Sequence, residues 1–289
     1  MLNYFHILIL AVIQGACELL PVSSSAHVIV AEKLMGLDPS SPEMTMLLVM
    51  LHTGTMFAVI VYFWGRWKRN YFSSAGQRKW FAVQVIGASF CTAVVYLILD
   101  KIVVKKILLH GHPGAEVEDL FNNLRLIAAS LAAVGILIIY AGMREDNKAP
   151  RHSEIQPLHA IWIGLVQGLC VPFRGFSRSG ATISTGMIFG LPKQKLEEFS
   201  FALAVVLTPA AIGKEAMRLV KEHALSGQTS VLHLNLFIPG LIGMVLSFVA
   251  GLLALKWLSQ WLEGGRWKLF GFYCLAASLG VLAVHLWVK

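Results

Sequence analysis

Six apolar runs, at roughly 44–64, 79–100, 120–142, 197–213, 234–257 and 268–288, each approach the length that an α-helix needs to cross a bilayer. Two further apolar regions, 4–36 and 157–191, are interrupted in the middle by Pro, Gly and Ser, so that each half is too short to cross. Irregular backbone is tolerated at membrane depth only where protein walls a cavity around it. Each broken region is therefore expected to be a pair of half-helices that enters and returns on one side. The composition agrees, with 14% charged residues against about 25% in soluble domains, and a mean hydropathy of +0.67. The expected fold class is an all-α integral membrane protein, with six spanning helices plus two re-entrant half-helix pairs, forming one membrane domain over 1–289.

The net charge of +8 is concentrated in short loops rather than in a stripe that would suit nucleic acid. Loop 65–79 holds Arg66, Lys68, Arg69, Arg78 and Lys79 with no acid, which places it in the cytoplasm. Loops 143–156 and 256–268 then fall on the same side. Loop 101–119 falls outside, where Glu116, Glu118 and Asp119 offset its lysines. Both termini are expected outside. Cys17, Cys91, Cys170 and Cys274 form no CxxC pair and read as buried free thiols. The N-terminus lacks the basic region of a signal peptide.

The broken regions resemble each other. Gln14-Gly15-Ala16-Cys17 and Gln167-Gly168-Leu169-Cys170 lie 153 residues apart, and Gly36-Leu37 and Gly190-Leu191 lie 154 apart. Each region precedes three spans. An odd number of spans inverts the second half, so repeats of about 1–142 and 157–289 are expected to be related by an axis in the membrane plane, with their polar half-helix ends meeting at the midplane.

Those ends carry chemistry. Gln14 and Glu18, four residues apart, share a helix face. Pro21 is expected to end that helix, and Ser23, Ser24 and Ser25 to begin the next, with His27 one turn in. In the second region Pro172 breaks, Gly175 bends, and Ser177-Arg178-Ser179-Gly180-Ala181-Thr182 opens a helix whose free N–H groups and dipole favour phosphate. Arg178 adds a permanently charged donor fork. Serine and threonine in membrane helices more often make helix contacts than catalyse, and His52 and His285 read as packing or interfacial residues. Glu18 differs, because an ionisable group at membrane depth is a functional candidate by default.

The stretch "QGACELLPVSSSAH" resembles the (E/Q)xxxE…PVSSxxH signature of the undecaprenyl-diphosphate phosphatases, also called bacitracin-resistance proteins, and "GFSRSGATIS" resembles their PGxSRSGxT. The likeness covers the whole chain. In two places the sequence departs from the family pattern: Gln14 stands where many members have Glu, and "PFRGF" replaces "PGF" and adds Arg174. The resemblance implies hydrolysis of a C55 polyprenyl diphosphate to the monophosphate, with Mg²⁺ or Ca²⁺ and a site open to the periplasm or exterior. In this reading Glu18, Ser24, His27 and Arg178 are catalytic. Ser23, Ser25, Ser177, Ser179, Gly180, Thr182 and Arg174 bind substrate, and Gln14 and Glu18 hold the metal. Ser24 is the preferred nucleophile, with an activated water as the rival. Arg174 either assists the phosphate clamp or snorkels toward the cytoplasmic interface.

The expected partners are the lipid substrate and membrane lipids, with no nucleic acid, and a homodimer is left open. A polyprenyl-phosphate flippase built on the same midplane site is the alternative function. The other lipid-phosphatase pattern, KxxxxxxRP…PSGH…SRxxxxxHxxxD, is not matched.

Overall fold

A computed structural model of the chain describes residues 3–103, 117–145, 152–226, 231–262 and 266–287. Residues 104–116 of the 101–119 loop, 146–151 of the 143–156 loop and 263–265 of the 256–268 loop lie outside the described residues. Apart from a 3-10 turn at Val117–Asn122, all regular structure within the described residues is helical. The first half holds α1 (Tyr4–Glu18), α2 (Ser24–Leu34), α3 (Pro42–Asn70), α4 (Ala75–Leu99) and α5 (Leu124–Glu145). The second half holds α6 (Pro157–Cys170), α7 (Arg178–Ile188), α8 (Lys193–Ser226), α9 (Val231–Leu262) and α10 (Trp267–Trp287).

Six of these helices, α3, α4, α5, α8, α9 and α10, are long and apolar enough to cross a membrane, at the six positions expected from the sequence. The chain is a multi-pass membrane protein. Their outer faces fit lipid. Val83, Ile86, Phe90, Val94 and Leu97 form one exposed stripe along α4, at spacings of three and four residues. Such a surface would be a liability in water.

α1 has 15 residues and α6 has 14, about 22 and 21 Å at 1.5 Å per residue, short of a hydrocarbon core of about 30 Å. α1 ends at Glu18 and α6 at Cys170, a few residues before Pro21 and Pro172. The short helices that follow end alike. Gly36 and Gly190 adopt φ +70° and +79°, a left-handed conformation that glycine enters without steric cost. Leu37 N–H donates to Glu32 O and Gly36 N–H to Lys33 O, while Leu191 N–H donates to Gly186 O and Gly190 N–H to Met187 O. Both are Schellman caps, built on residues 154 apart.

The packing pairs correspond as well. α1 packs on α2 and α9, and α6 packs on α7 and α4. α3 packs on α9 and α8 on α4, while α3 meets α8 and α5 meets α10. At the α5–α10 contact a Cβ on Gly271 would lie 2.6 Å from Gly135 O, and one on Gly135 would lie 2.9 Å from Gly271 O. The two helices thus approach backbone to backbone. Gly271→Ala is expected to force this pair apart, at a cost of about 1–3 kcal/mol. Thermal unfolding in detergent should show a lower midpoint than wild type.

The thiols differ from expectation in degree. All four cysteines are free, but only Cys170 and Cys274 are buried, because Cys17 and Cys91 sit on half-covered helix faces.

Candidate active site

The two helix breaks face each other. Leu20 and Ser23 of the first break and Val171, Phe173, Arg174, Phe176 and Ser177 of the second border a cavity of about 240 Å³, closed on another side by Ala204, Leu207, Thr208 and Ala211 of α8. Ser24 and Arg178 are the first residues of α2 and α7, so equivalent positions of the two short helices deliver a hydroxyl and a guanidinium to one space. The N–H groups of a first helical turn have no intrahelical acceptor. Two helix N-termini therefore border the cavity, which suits a phosphate.

Glu18, the last residue of α1, is the hub. Arg178 donates to its Oε1 over 2.8 Å, Gln14 Nε2 donates to its Oε2 over 3.0 Å, and Ser24 Oγ donates to Oε2. His52 Nε2, from α3, stands 3.4 Å from the same Oε2. The carboxylate balances the guanidinium and accepts the hydroxyl of the expected nucleophile. Arg178 also reaches Ser200 O at 3.4 Å.

The expected residues divide into two groups. Glu18, Ser23, Ser24, Ser25, Arg174, Ser177, Arg178 and Ser179 all line the cavity, whereas Gln14, His27, Gly180 and Thr182 are not among its lining residues. Gln14 is wholly buried behind Glu18. Gly180 packs toward Ile138 and the Pro21 carbonyl. Thr182 bonds to Arg178 O at 2.8 Å and to the Ser200 hydroxyl at 2.7 Å, so its oxygen is committed within the helix packing. His27 Nδ1–H donates to Ser23 O over 2.8 Å, which leaves Nε2 of the neutral ring to accept from the Tyr273 hydroxyl, also at 2.8 Å.

The two helix starts are held differently. Ser177 caps α7 by accepting from Gly180 N–H at 3.2 Å, as its sequence position implies. Ser23 makes no such bond at the start of α2. It sits at φ +65°, the single non-glycine residue at positive φ among those described. Arg174 lines the cavity and lays its guanidinium 4.5 Å from the Phe121 ring centroid. Its stem thus runs toward the side of the 101–119 loop and not toward the 65–79 loop.

His52 reads from the sequence as a packing or interfacial residue, yet it lines the cavity against Glu18. The rule that singled out Glu18, an ionisable group inside an apolar run, applies equally to "LLVMLHTGTMFAV". Tyr273 gave no comparable signal, because a tyrosine in a membrane helix is ordinary.

Residues 7–280 match the family described as bacitracin resistance protein BacA. The curated relatives include undecaprenyl-diphosphatase 2 of Acinetobacter baylyi, 57% identical over 287 residues that cover 98% of each chain. Undecaprenyl-diphosphatase 2 of Burkholderia orbicola is 31% identical over 302 residues, covering 98% of this chain and 99% of the relative. Undecaprenyl-diphosphatase 1 of Burkholderia pseudomallei is 32% identical over 293 residues, covering 96% and 95%. With the match spanning nearly every helix and both polar breaks, this chain belongs to the bacitracin resistance protein BacA family.

Proposed function

We infer that the chain is an undecaprenyl-diphosphate phosphatase, hydrolysing the C55 diphosphate to the monophosphate and inorganic phosphate. The observation that carries this reading is the convergence of Ser24 and Arg178 on the two oxygens of Glu18, beside two helix N-termini. A flippase has no need of a hydroxyl held on a carboxylate, and the relatives are named as diphosphatases.

The residues support the following sequence. Arg178 and the N–H groups opening α2 and α7 hold the diphosphate, with Ser23, Ser25, Ser177, Ser179 and Arg174 around it. Ser24 Oγ attacks the terminal phosphorus while its proton passes to Glu18 Oε2, and the bond to the bridging oxygen breaks to release the lipid monophosphate. Water then attacks the phosphoserine, giving inorganic phosphate and restoring the Ser24 hydroxyl. Positioning and charge neutralisation carry most of such a reaction.

The donor set fits a divalent cation. Glu18 supplies carboxylate oxygens, and Gln14 Oε1 is a buried amide oxygen with no hydrogen-bond partner. Mg²⁺ and Ca²⁺ prefer such oxygen ligands. Glu18 and Gln14 would hold the ion, which would neutralise charge on the diphosphate.

The matched caps, breaks and packing pairs support an inverted repeat of about 1–142 and 157–289, with both broken regions re-entrant. With the 65–79 loop cytoplasmic, the first region enters from outside. The site would then open to the periplasm of a bacterial inner membrane.

The test is release of phosphate from C55 diphosphate by the purified protein in detergent. Turnover is expected, with loss in excess EDTA and recovery on adding Mg²⁺ or Ca²⁺. Absence of turnover with every cation would overturn the phosphatase reading, and full turnover in EDTA would remove the cation from it.

A further inference from the structure

His52 stands beside Glu18 in an orientation that a packing residue does not require. Its Nδ1 lies 2.7 Å from Leu48 O, one turn back along α3. A carbonyl oxygen only accepts, so Nδ1 carries the ring hydrogen, and in the neutral ring Nε2 presents a lone pair. That lone pair faces Glu18 Oε2 at 3.4 Å, and both residues line the same cavity. While the ring is neutral no hydrogen lies between these two electron-pair donors, and a cation between them would serve both.

We propose that His52 Nε2 is a ligand of the divalent cation, together with Glu18 Oε2. This rests on the cation reading given above and adds a nitrogen donor to it. Three features of the geometry support it. Donors bound about 2.0–2.2 Å from one ion, at the angles of tetrahedral or octahedral coordination, stand about 3.0–3.5 Å apart, which the 3.4 Å separation matches. Metal-bound histidines characteristically donate their other ring N–H to a carbonyl or carboxylate, which fixes the tautomer, and Leu48 O does this here. Finally, Gln14 reaches Glu18 Oε2 with its amide, whose other end is buried without a partner. Amide nitrogen and oxygen exchange by a half-turn, so Gln14 can bring its oxygen to the same ion.

The nitrogen ligand has a consequence for selectivity. Carboxylate and amide oxygens alone favour Mg²⁺ and Ca²⁺, whereas imidazole shifts preference toward Zn²⁺. The site is therefore expected to bind Zn²⁺ more tightly than Ca²⁺, with Mn²⁺ accepted as a spectroscopic substitute. A proton on Nε2 in place of the ion would make the pair a simple salt bridge, and that is the outcome the experiment must separate.

Mn²⁺ serves as the probe, bound to the purified full-length protein in detergent without substrate. Free Mn²⁺ is titrated by electron paramagnetic resonance, and pulsed measurements read nitrogen coupling to the bound ion. Wild type is expected to bind Mn²⁺ with a directly coordinated nitrogen, whose signal changes when histidine alone is labelled with ¹⁵N. His52→Gln is expected to bind about 10-fold or more weakly and to lose the imidazole coupling. Wild-type binding without histidine coupling overturns the proposal whatever the variant does, and so does unchanged coupling in a folded His52→Gln. No Mn²⁺ binding by wild type overturns the cation reading along with it. Phosphate release is assayed separately, so the phosphatase reading stands or falls on its own.

Discussion

Glu18→Gln is expected to lower kcat for diphosphate hydrolysis by about 1,000-fold or more while the protein still elutes as a folded species in detergent. Glu18 accepts from Ser24 and Gln14 on one oxygen and from Arg178 on the other. The amide that replaces it keeps the shape but carries no charge, cannot take the serine proton, and puts an NH₂ where one of these donors now points. Arg178 would then be left without its carboxylate in a partly buried cavity, so some stability is lost too, and unfolding midpoints must be compared before kcat is interpreted. Arg178→Ala added to Glu18→Gln should cost far less than the sum of the two single losses, because the pair acts as a unit. If Glu18→Gln keeps kcat within ten-fold of wild type, Glu18 is neither proton acceptor nor cation ligand, and the proposed mechanism fails.

Most of the architecture was legible because the bilayer leaves few choices. A run of about 20 apolar residues can only be a helix there, and all six emerged at the expected places. Their ends were not legible. α3 runs on to Asn70 and α8 to Ser226, well past the apolar runs, because polar and basic residues continue a helix freely once it has left the lipid. The breaks were legible from Pro, Gly and Ser. However, α1 stops at Glu18, three residues before Pro21, where the chain turns to bring Ser24 back onto the carboxylate.

Within the site, the sequence revealed the residues that share a motif and hid those that arrive from elsewhere. Glu18, Ser24 and Arg178 stood out in their two stretches. His52 comes from α3 and Tyr273 from α10, and no local spacing links either to the motifs. Side-chain direction was equally hidden. His27 lies one turn after Ser24, yet its ring nitrogens are taken by Ser23 O and the Tyr273 hydroxyl. Thr182 looks like part of a phosphate cradle, but it bonds to Ser200 on α8 instead.

Ser24→Ala is expected to abolish turnover, by about 1,000-fold or more in kcat, with KM little changed, because a nucleophile contributes mainly to the transition state. The alanine keeps the α2 start and leaves Arg178 and the helix N-termini in place, so substrate should still bind. Rapid quenching with substrate labelled in its terminal phosphate should leave label on wild-type protein and none on Ser24→Ala. His27 is expected to act on the same step from a distance. Its Nδ1–H holds the carbonyl of Ser23, whose positive φ costs about 1–3 kcal/mol and sets the direction in which Ser24 leaves the turn. His27→Ala should therefore lower kcat less than Ser24→Ala. Adding Ser23→Gly, which relieves that strain, should recover part of the loss, as it would not if the imidazole carried the reacting proton. Ser24→Ala retaining kcat within ten-fold of wild type, with no label trapped on either protein, would overturn the serine nucleophile. Attack would then belong to a water held against Glu18.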